Sequence, residues 1–316
     1  MKGKKILVTG GAGFIGSNMV EALVHDNEVI ALDNLSNVDE RYITPFRDSE
    51  NFRFIRGDIN DMDSIPGLDG VDVVIHLAAN SDVRNGAENP SVDFQNNVAG
   101  TFSLLEFMRK RNVGEILFAS SSTVYGEATV MPTPEDYGPY MPISSYGASK
   151  MACEGFITAY SHYYGIKGTI FRFANIVGKN STHGVIFDFM KKLQKNSREL
   201  EILGDGTQRK SYLYVEDCVN SMIYVHEKSQ KTDIYNLGNP LTTSVSRIAD
   251  IVVSELGLKD VKYNYTGGVN GRGWKGDVKI AQLDVKKLNA TGWKNKYDSD
   301  GSVVQATRET IAQMGL

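Results

Sequence analysis

The stretch Ile6-Leu7-Val8-Thr9-Gly10-Gly11-Ala12-Gly13-Phe14-Ile15-Gly16 constrains the fold more than any other part of the chain. An apolar, β-branched run enters a glycine turn and passes directly into a segment whose apolar residues recur at helical spacing. Glycines at positions 10, 13 and 16 allow a tight turn, close approach of backbone to a pyrophosphate, and close packing of helix on strand, while unpaired N–H groups at a helix start attract phosphate. A glycine pattern alone is weak. Here it is joined by Asp33, which ends the next apolar run 17 positions after Gly16, about where a ribose hydroxyl has to be met. Asp33 repels a 2'-phosphate and is followed by Asn34 rather than Arg, so NAD is expected rather than NADP. Asp58, in Arg56-Gly57-Asp58-Ile59, closes a third run and reads equally as an adenine contact or as a turn residue.

Short β-branched runs at Lys5–Val8, Glu28–Asp33, Phe52–Arg56, Val73–His76, Glu115–Ala119 and Gly168–Phe173 alternate with amphipathic stretches, notably Gly13–His25, Asn97–Arg111 and Ser145–Tyr164. That order predicts an α/β fold, a Rossmann-type doubly wound parallel sheet with crossover helices. A loop at 124–144 holds four of the eight prolines and is expected to run over the surface toward a site. After Val177 the rhythm changes. Val185–Lys195 reads as a helix, Gly204-Asp205-Gly206-Thr207 as a turn before Tyr212–Val215, and Val245–Leu256 and Ser302–Met314 as further helices flanking a glycine-rich loop at 267–276. These pieces are too discontinuous to fold alone and predict a smaller mixed C-terminal substrate lobe over the carboxyl ends of the strands. The expected division is 1–177 plus about 212–240 for the cofactor domain, and about 178–211 with 241–316 for the lobe, in keeping with 316 residues being long for one core.

A net charge of -4 and a pI near 5.8 argue against nucleic acid or an anionic membrane as the main partner. The two cysteines, Cys153 and Cys218, lie far apart and no Cys/His spacing suggests a metal, so neither a disulfide scaffold nor a metal site is expected. The apolar run after the basic first residues is too short for a signal-peptide core, and no stretch approaches the ~20 apolar residues of a membrane span. A cytoplasmic enzyme is expected.

Tyr146 and Lys150 stand four apart, on one face of a predicted helix. YxxxK is common by chance. Its weight comes from the hydroxyl-rich Ser120-Ser121-Ser122-Thr123-Val124-Tyr125-Gly126 at the carboxyl end of a predicted strand, where α/β folds place their chemistry. A tyrosine base working at neutral pH has to be shifted down by roughly three units from ~10, and a nearby ammonium and a cationic nicotinamide ring have the right sign. Ser121 is then placed to hydrogen-bond the substrate hydroxyl and its developing carbonyl.

With these pieces in order, the chain resembles the extended short-chain dehydrogenase/reductases, specifically the UDP-glucose 4-epimerase group of NAD-dependent nucleotide-sugar epimerases and dehydratases. The matching pieces include Thr9 to Gly16, Asp33-Asn34-Leu35, Gly57-Asp58-Ile59, His76-Leu77-Ala78-Ala79, Asn97 to Thr101, Ser120 to Gly126, Tyr146 to Lys150, Arg172-Phe173-Ala174-Asn175 and Gly204-Asp205-Gly206. The resemblance implies Tyr146 as base, Lys150 as its partner and Ser121 as the catalytic hydroxyl. It implies NAD contacts at Gly10, Gly13, Gly16, Asp33, Asp58, Ala79, Asn97 and Lys150, to which Phe14, Ile15, Asn34, Ile59, Leu77, Ala78, Ser120 and Tyr146 are added. Substrate contacts are implied at Ser121, Tyr146, Asn175, Lys210, Arg272, Asp277 and Ala281, with a UDP-sugar as substrate. A homodimer is implied through 97–111 and 145–164, with Phe102, Leu105, Phe156 and Tyr160 read either as interface or as ordinary core.

Two stretches depart from the family pattern. The Arg-Asp-aromatic triplet after Gly-Asp-Gly is here Lys210-Ser211-Tyr212, with Arg209 one place early, and Gly271 to Asp277 is longer than the usual Arg-Pro-Gly-Asp. The reaction class turns on a third stretch. Dehydratases of this group resemble Thr-Asp-Glu where this chain has Ser121-Ser122-Thr123, and decarboxylases usually keep the Glu. The absence of both carboxylates favours epimerisation, and the small Ala281 is expected to admit N-acetylated hexoses.

Overall fold

The computed structural model describes residues 1–268 and 278–316. By internal contacts the chain divides into two compact units, one of Met1–Glu127, Tyr137–Arg172 and Val219–Tyr235, the other of Ala128–Asp136, Phe173–Cys218 and Asn236–Leu316.

The first unit is built on β1 (Lys5–Thr9), α1 (Phe14–Leu23), β2 (Glu28–Asp33), β3 (Phe52–Arg56), β4 (Val73–His76), α2 (Val83–Glu88), α3 (Pro90–Asp93), α4 (Gly100–Arg111), β5 (Glu115–Ser121), α5 (Ser145–Tyr164) and β6 (Lys167–Phe173). With β11 (Asp233–Leu237) at the edge, the central sheet runs β11-β6-β5-β4-β1-β2-β3. β1 pairs in parallel with β2 and β4, β2 with β3, and β4 with β5. The strand order therefore reverses on either side of β1, and the crevice at such a reversal is where open α/β sheets bind ligands. Thr9, at the end of β1, is the register partner of His76, at the end of β4.

Buried strands read as near-continuous apolar runs because helices cover both faces. Leu7, Ile30, Val74, Ile116 and Ile170 are fully buried and pack with Leu104, Leu105 and Phe107 of α4 and Ile157 of α5. Leu105 is thus core, not interface, and Tyr160 is 8% exposed in the same cluster; Phe102 and Phe156 remain 45% and 38% exposed, because residues three or four positions apart on these helices share the inward stripe and their neighbours do not.

One expected helix is divided. Asn97 falls in a π-helical turn, Phe94–Ala99, and the α-helix begins at Gly100. The first unit also contains two short helices, α2 and α3, that the apolar pattern had not indicated.

The second unit contains β7 (Asn175–Val177), α6 (Val185–Lys195), β8 (Glu199–Leu203), β9 (Arg209–Lys210), β10 (Tyr212–Tyr214), β12 (Thr243–Ser244), α8 (Val245–Glu255), β13 (Lys262–Thr266), β14 (Ile280–Ala281), α9 (Lys286–Ala290) and α10 (Ser299–Met314); α7 (Val215–Lys228) begins in it. Its strands form small sheets, β7 with β10, β8 with β13, and β12-β9-β14. Phe189, Met190, Leu200, Ile248, Val252 and Val303 form its core. Among the described residues no helix is long and apolar enough to cross a membrane.

Candidate active site

The glycine turn leaves little room for side chains. A Cβ on Gly16 would lie 2.0 Å from the Gly10 carbonyl oxygen, and one on Gly10, whose φ is +69°, would lie 2.8 Å from Ala78 N. These two glycines are demanded by the fold itself. At Gly13 the nearest atom would be Gly10 O at 3.2 Å, and Gly13, Phe14 and Ile15 are only half-buried. Helix α1 starts at this accessible point with no side-chain cap and no acidic residue in its first turn, an arrangement that fits a pyrophosphate.

Asp33 sits beside this turn. Its carboxylate accepts from Ala12 N at 3.1 Å and Leu35 N at 2.9 Å, and burial, outweighing those bonds, raises its pKa. Asp58 accepts from Asn34 Nδ2 at 2.9 Å and from Asn60 N and Nδ2. Burial opposes its ionisation, yet these donors together hold its pKa below the usual value. Ile59 follows in a 3-10 turn, and Leu77, Ala78 and Ala79 lie just past the end of β4, all three half-buried. Asn97 is buried: its Oδ1 accepts from Asn80 N at 2.8 Å and its Nδ2 donates to Ser149 Oγ at 2.8 Å. Ser120 is 2% exposed and its hydroxyl donates to Glu154.

Ser121, Tyr146 and Lys150 come together at the end of β5. Ser144 caps α5 by accepting from Gly147 N at 3.1 Å. A Cβ on Gly147 would lie 2.6 Å from Thr123 O, so the first turn of α5 closes on the 3-10 turn Ser122–Tyr125 and brings the Tyr146 phenol into hydrogen-bonding contact with Ser121. Thr123 donates to Ser121 Oγ from its N at 3.2 Å and its hydroxyl at 2.9 Å. With its acceptor sites engaged, the Ser121 proton is left to donate to the Tyr146 oxygen. Lys150 is 3% exposed; its Nζ donates to Ala119 O at 2.8 Å and lies 5.9 Å from the Tyr146 ring centroid.

The protein's own groups leave the Tyr146 pKa high on balance. Burial pushes it up to about 12, and the Asp93 charge adds to this, while the Ser121 hydrogen bond only partly opposes them. Lys150 is itself brought down to about 8 by burial.

Among residues that the sequence pattern had not singled out for the site, Glu154 and Arg172 form a buried ion pair at 2.6 Å behind Ser120. The Arg172 guanidinium lies 4.7 Å from the ring centroids of both Tyr125 and Tyr140 and donates to both hydroxyls, tying the ends of the 124–144 loop to the sheet. Only long-range contacts reveal this; Arg172 had stood in a matching motif without a role.

In the second unit, Asn175 and Lys210 line a common cavity of about 250 Å³, with Tyr212, His183, Ser181 and Phe187 among its walls. The structure resolves the departure at 209–210. Arg209 and Lys210 alternate across β9; Arg209 turns to Thr242 while Lys210 lines the cavity. Ala281 is the register partner of Lys210, and its carbonyl accepts from Ser211 N at 3.1 Å. Arg272 and Asp277 lie outside the described residues.

A glycine turn at the sheet's reversal point and a Ser-Tyr-Lys cluster at the end of β5 stand together in a Rossmann-type unit. Comparison with known proteins carries this further: residues 6–238 match the NAD dependent epimerase/dehydratase family, and the chain belongs to it. A UDP-glucose 4-epimerase from Lactobacillus helveticus is 32% identical over 324 residues, covering 95% of this chain and 94% of that one. Among solved structures, a UDP-galactose 4-epimerase is 39% identical with a TM-score of 0.87, covering 98% of this chain and 99% of that one. A UDP-N-acetylglucosamine 4-epimerase from Methanobrevibacter ruminantium, in complex with UDP-N-acetylmuramic acid, has a TM-score of 0.88 at 29% identity, covering 99% and 100%. The protein is thus an NAD-dependent enzyme of the epimerase/dehydratase family.

Proposed function

We propose that the chain is a nucleotide-sugar 4-epimerase that interconverts UDP-glucose and UDP-galactose, and the corresponding N-acetylhexosamine forms, through a 4-keto sugar. The observation that carries this reading is Ser121-Ser122-Thr123: elimination of water needs an additional acid and base, and neither intermediate position supplies a carboxylate. Thr123, where dehydratases of this group hold Glu, spends its hydroxyl on Ser121.

Gly10, Gly13, Phe14, Ile15 and Gly16 would hold the pyrophosphate of NAD, Asp33 and Asn34 a ribose, Asp58 and Ile59 the adenine side, and Leu77, Ala78, Ala79, Asn97, Ser120 and Lys150 the nicotinamide half. When bound, NAD supplies a regenerated hydride acceptor and, in its oxidised form, a positive ring charge. Tyr146 Oη takes the proton of the sugar C4 hydroxyl and returns it after the keto sugar has presented its other face. Ser121 donates to the same oxygen as it becomes a carbonyl, and Lys150 steadies the phenolate by its charge. Because burial alone keeps the phenol protonated at neutral pH, Tyr146 is a base only in the company of further positive charge.

Asn175, Lys210, Arg272 and Asp277 would grip the UDP moiety, leaving the sugar free to turn, and the small Ala281 would leave room for an acetamido group. Phe102 and Phe156, exposed and 5.9 Å apart by ring centroids, are offered as the contact of a homodimer. The test is to incubate purified protein with UDP-galactose and resolve the product by NMR. UDP-glucose is expected, and no C4 epimer from any common nucleotide sugar would sink the proposal. An Ala281→Tyr variant is expected to lose turnover of UDP-N-acetylglucosamine while keeping UDP-glucose; equal retention of both would remove Ala281 from the sugar pocket.

A further inference from the structure

Behind the glycine turn lies a buried polar group that the proposed mechanism does not use. His76, 1% exposed, lies between two threonines: Nδ1 is 2.7 Å from Thr9 Oγ1 and Nε2 is 2.9 Å from Thr101 Oγ1. The geometry of these two bonds leaves their direction open, but their neighbours do not. Thr101 Oγ1 donates to Cys153 Sγ at 3.2 Å, and Cys153 in turn donates to Asn97 O at 3.3 Å. With its only proton spent on sulfur, Thr101 has to accept from His76, so Nε2 carries hydrogen. At the other end, Thr9 Oγ1 accepts from Leu77 N and Ala78 N, each at 3.3 Å, which leaves its proton to point at Nδ1. Both ends require the same tautomer.

We infer that His76 is held as the neutral Nε2–H tautomer and acts as a positioning residue, the junction of a one-way hydrogen-bond chain from the β1/β4 strand ends to the helix bearing Tyr146 and Lys150. From Asn97 the network continues through a second branch: Asn97 Nδ2 donates to Ser149 Oγ, and Ser149 Oγ donates to Tyr146 O at 2.8 Å. The main chain at Ala78, the residue against which Gly10 packs, and the backbone of Tyr146 are therefore tied into one set of directional bonds. The other tautomer would leave two donors facing each other at one end and two acceptors at the other, and a ring flip would set C–H groups against both threonines, each costly where water cannot help. The tautomer stands on these contacts alone; its effect on turnover rests on the epimerase reading.

The direct test is long-range ¹⁵N–¹H NMR on the NAD-loaded, histidine-labelled protein at neutral pH. The four other histidines, His25, His162, His183 and His226, are replaced one at a time to assign the signals. A pyridine-type Nδ1 and pyrrole-type Nε2 are expected for His76; the reverse tautomer or a charged ring would overturn the inference, whatever the enzyme's substrate. Cys153→Ser keeps an acceptor and a donor in the chain, whereas Cys153→Ala removes both. With UDP-galactose, Cys153→Ala is expected to lower kcat about five- to tenfold with little change in KM, the rate counterpart of about one hydrogen bond, and Cys153→Ser to stay within about twofold. Equal kcat in the two variants, with the expected tautomer intact, would contradict the positioning role. If neither substrate nor epimer is found for the parent enzyme, the NMR result still decides the tautomer.

Discussion

The two sites of this chain are built in opposite ways. Around Tyr146 almost every polar atom has an assigned partner: Ser121 is fixed by Thr123, Lys150 by Ala119 O, and Asn97 by Asn80 and Ser149, most of them buried. The cavity in the second unit has a half-buried lysine and asparagine and a mixed polar and apolar wall. The contrast teaches where precision is needed. On the proposed reading, proton transfer depends on fractions of an ångström and its groups are locked by packing and hydrogen bonds beforehand, whereas gripping a diphosphate needs charge and reach, which a lysine on a short strand supplies without a fixed fork.

Removing the acid/base group breaks the comparison hardest. Tyr146→Phe is expected to lower kcat about 10³-fold while leaving UDP affinity, followed by calorimetry, nearly unchanged. A fall of less than tenfold would mean that another group moves the proton. Next in size, Lys210→Ala is expected to raise KM about 10- to 100-fold with kcat nearly kept, the signature of a charged contact made equally in ground and transition states. Lys210→Arg should restore most of the loss; a kcat defect instead would move Lys210 from the grip to the chemistry.

The smallest effect is on stability. Burial, helped by the Lys150 charge, lowers the His76 pKa to about 3, so the folded ring refuses a proton that the unfolded chain takes below the ordinary histidine value of 6.5. On this account stability is flat above that value and declines as pH falls toward 3. At pH 5 the loss from His76 is on the order of 2 kcal/mol, readable as a lower urea midpoint. A midpoint unchanged between pH 7 and 5 would contradict a neutral, buried His76.

What the sequence made legible was local. The glycine turn, Asp33, and the Tyr146/Lys150 spacing are each carried by one strand end or one helix face, and in the structure Ser121 and Tyr146 meet as their flanking elements demand. Contacts across long separations were not legible. Nothing near Glu154 announces Arg172, and His76, although part of a matching motif, had no visible partners because Thr9 and Thr101 lie far from it along the chain. The burial that raises the Tyr146 pKa was not legible for a related reason, since it comes from packing that the sequence does not display. The second unit was the least legible, because its strands are short and three of their pairings have only two or three residues of register to hold them.

The central claim is that a sugar hydroxyl is oxidised and restored with nothing eliminated. Mass spectrometry of the product formed from UDP-galactose in deuterated water tests it most directly. The account predicts an isomer of unchanged mass with no deuterium on C4, because the same hydride is returned. A product lighter by one water, net formation of reduced cofactor, or deuterium at C4 would contradict it.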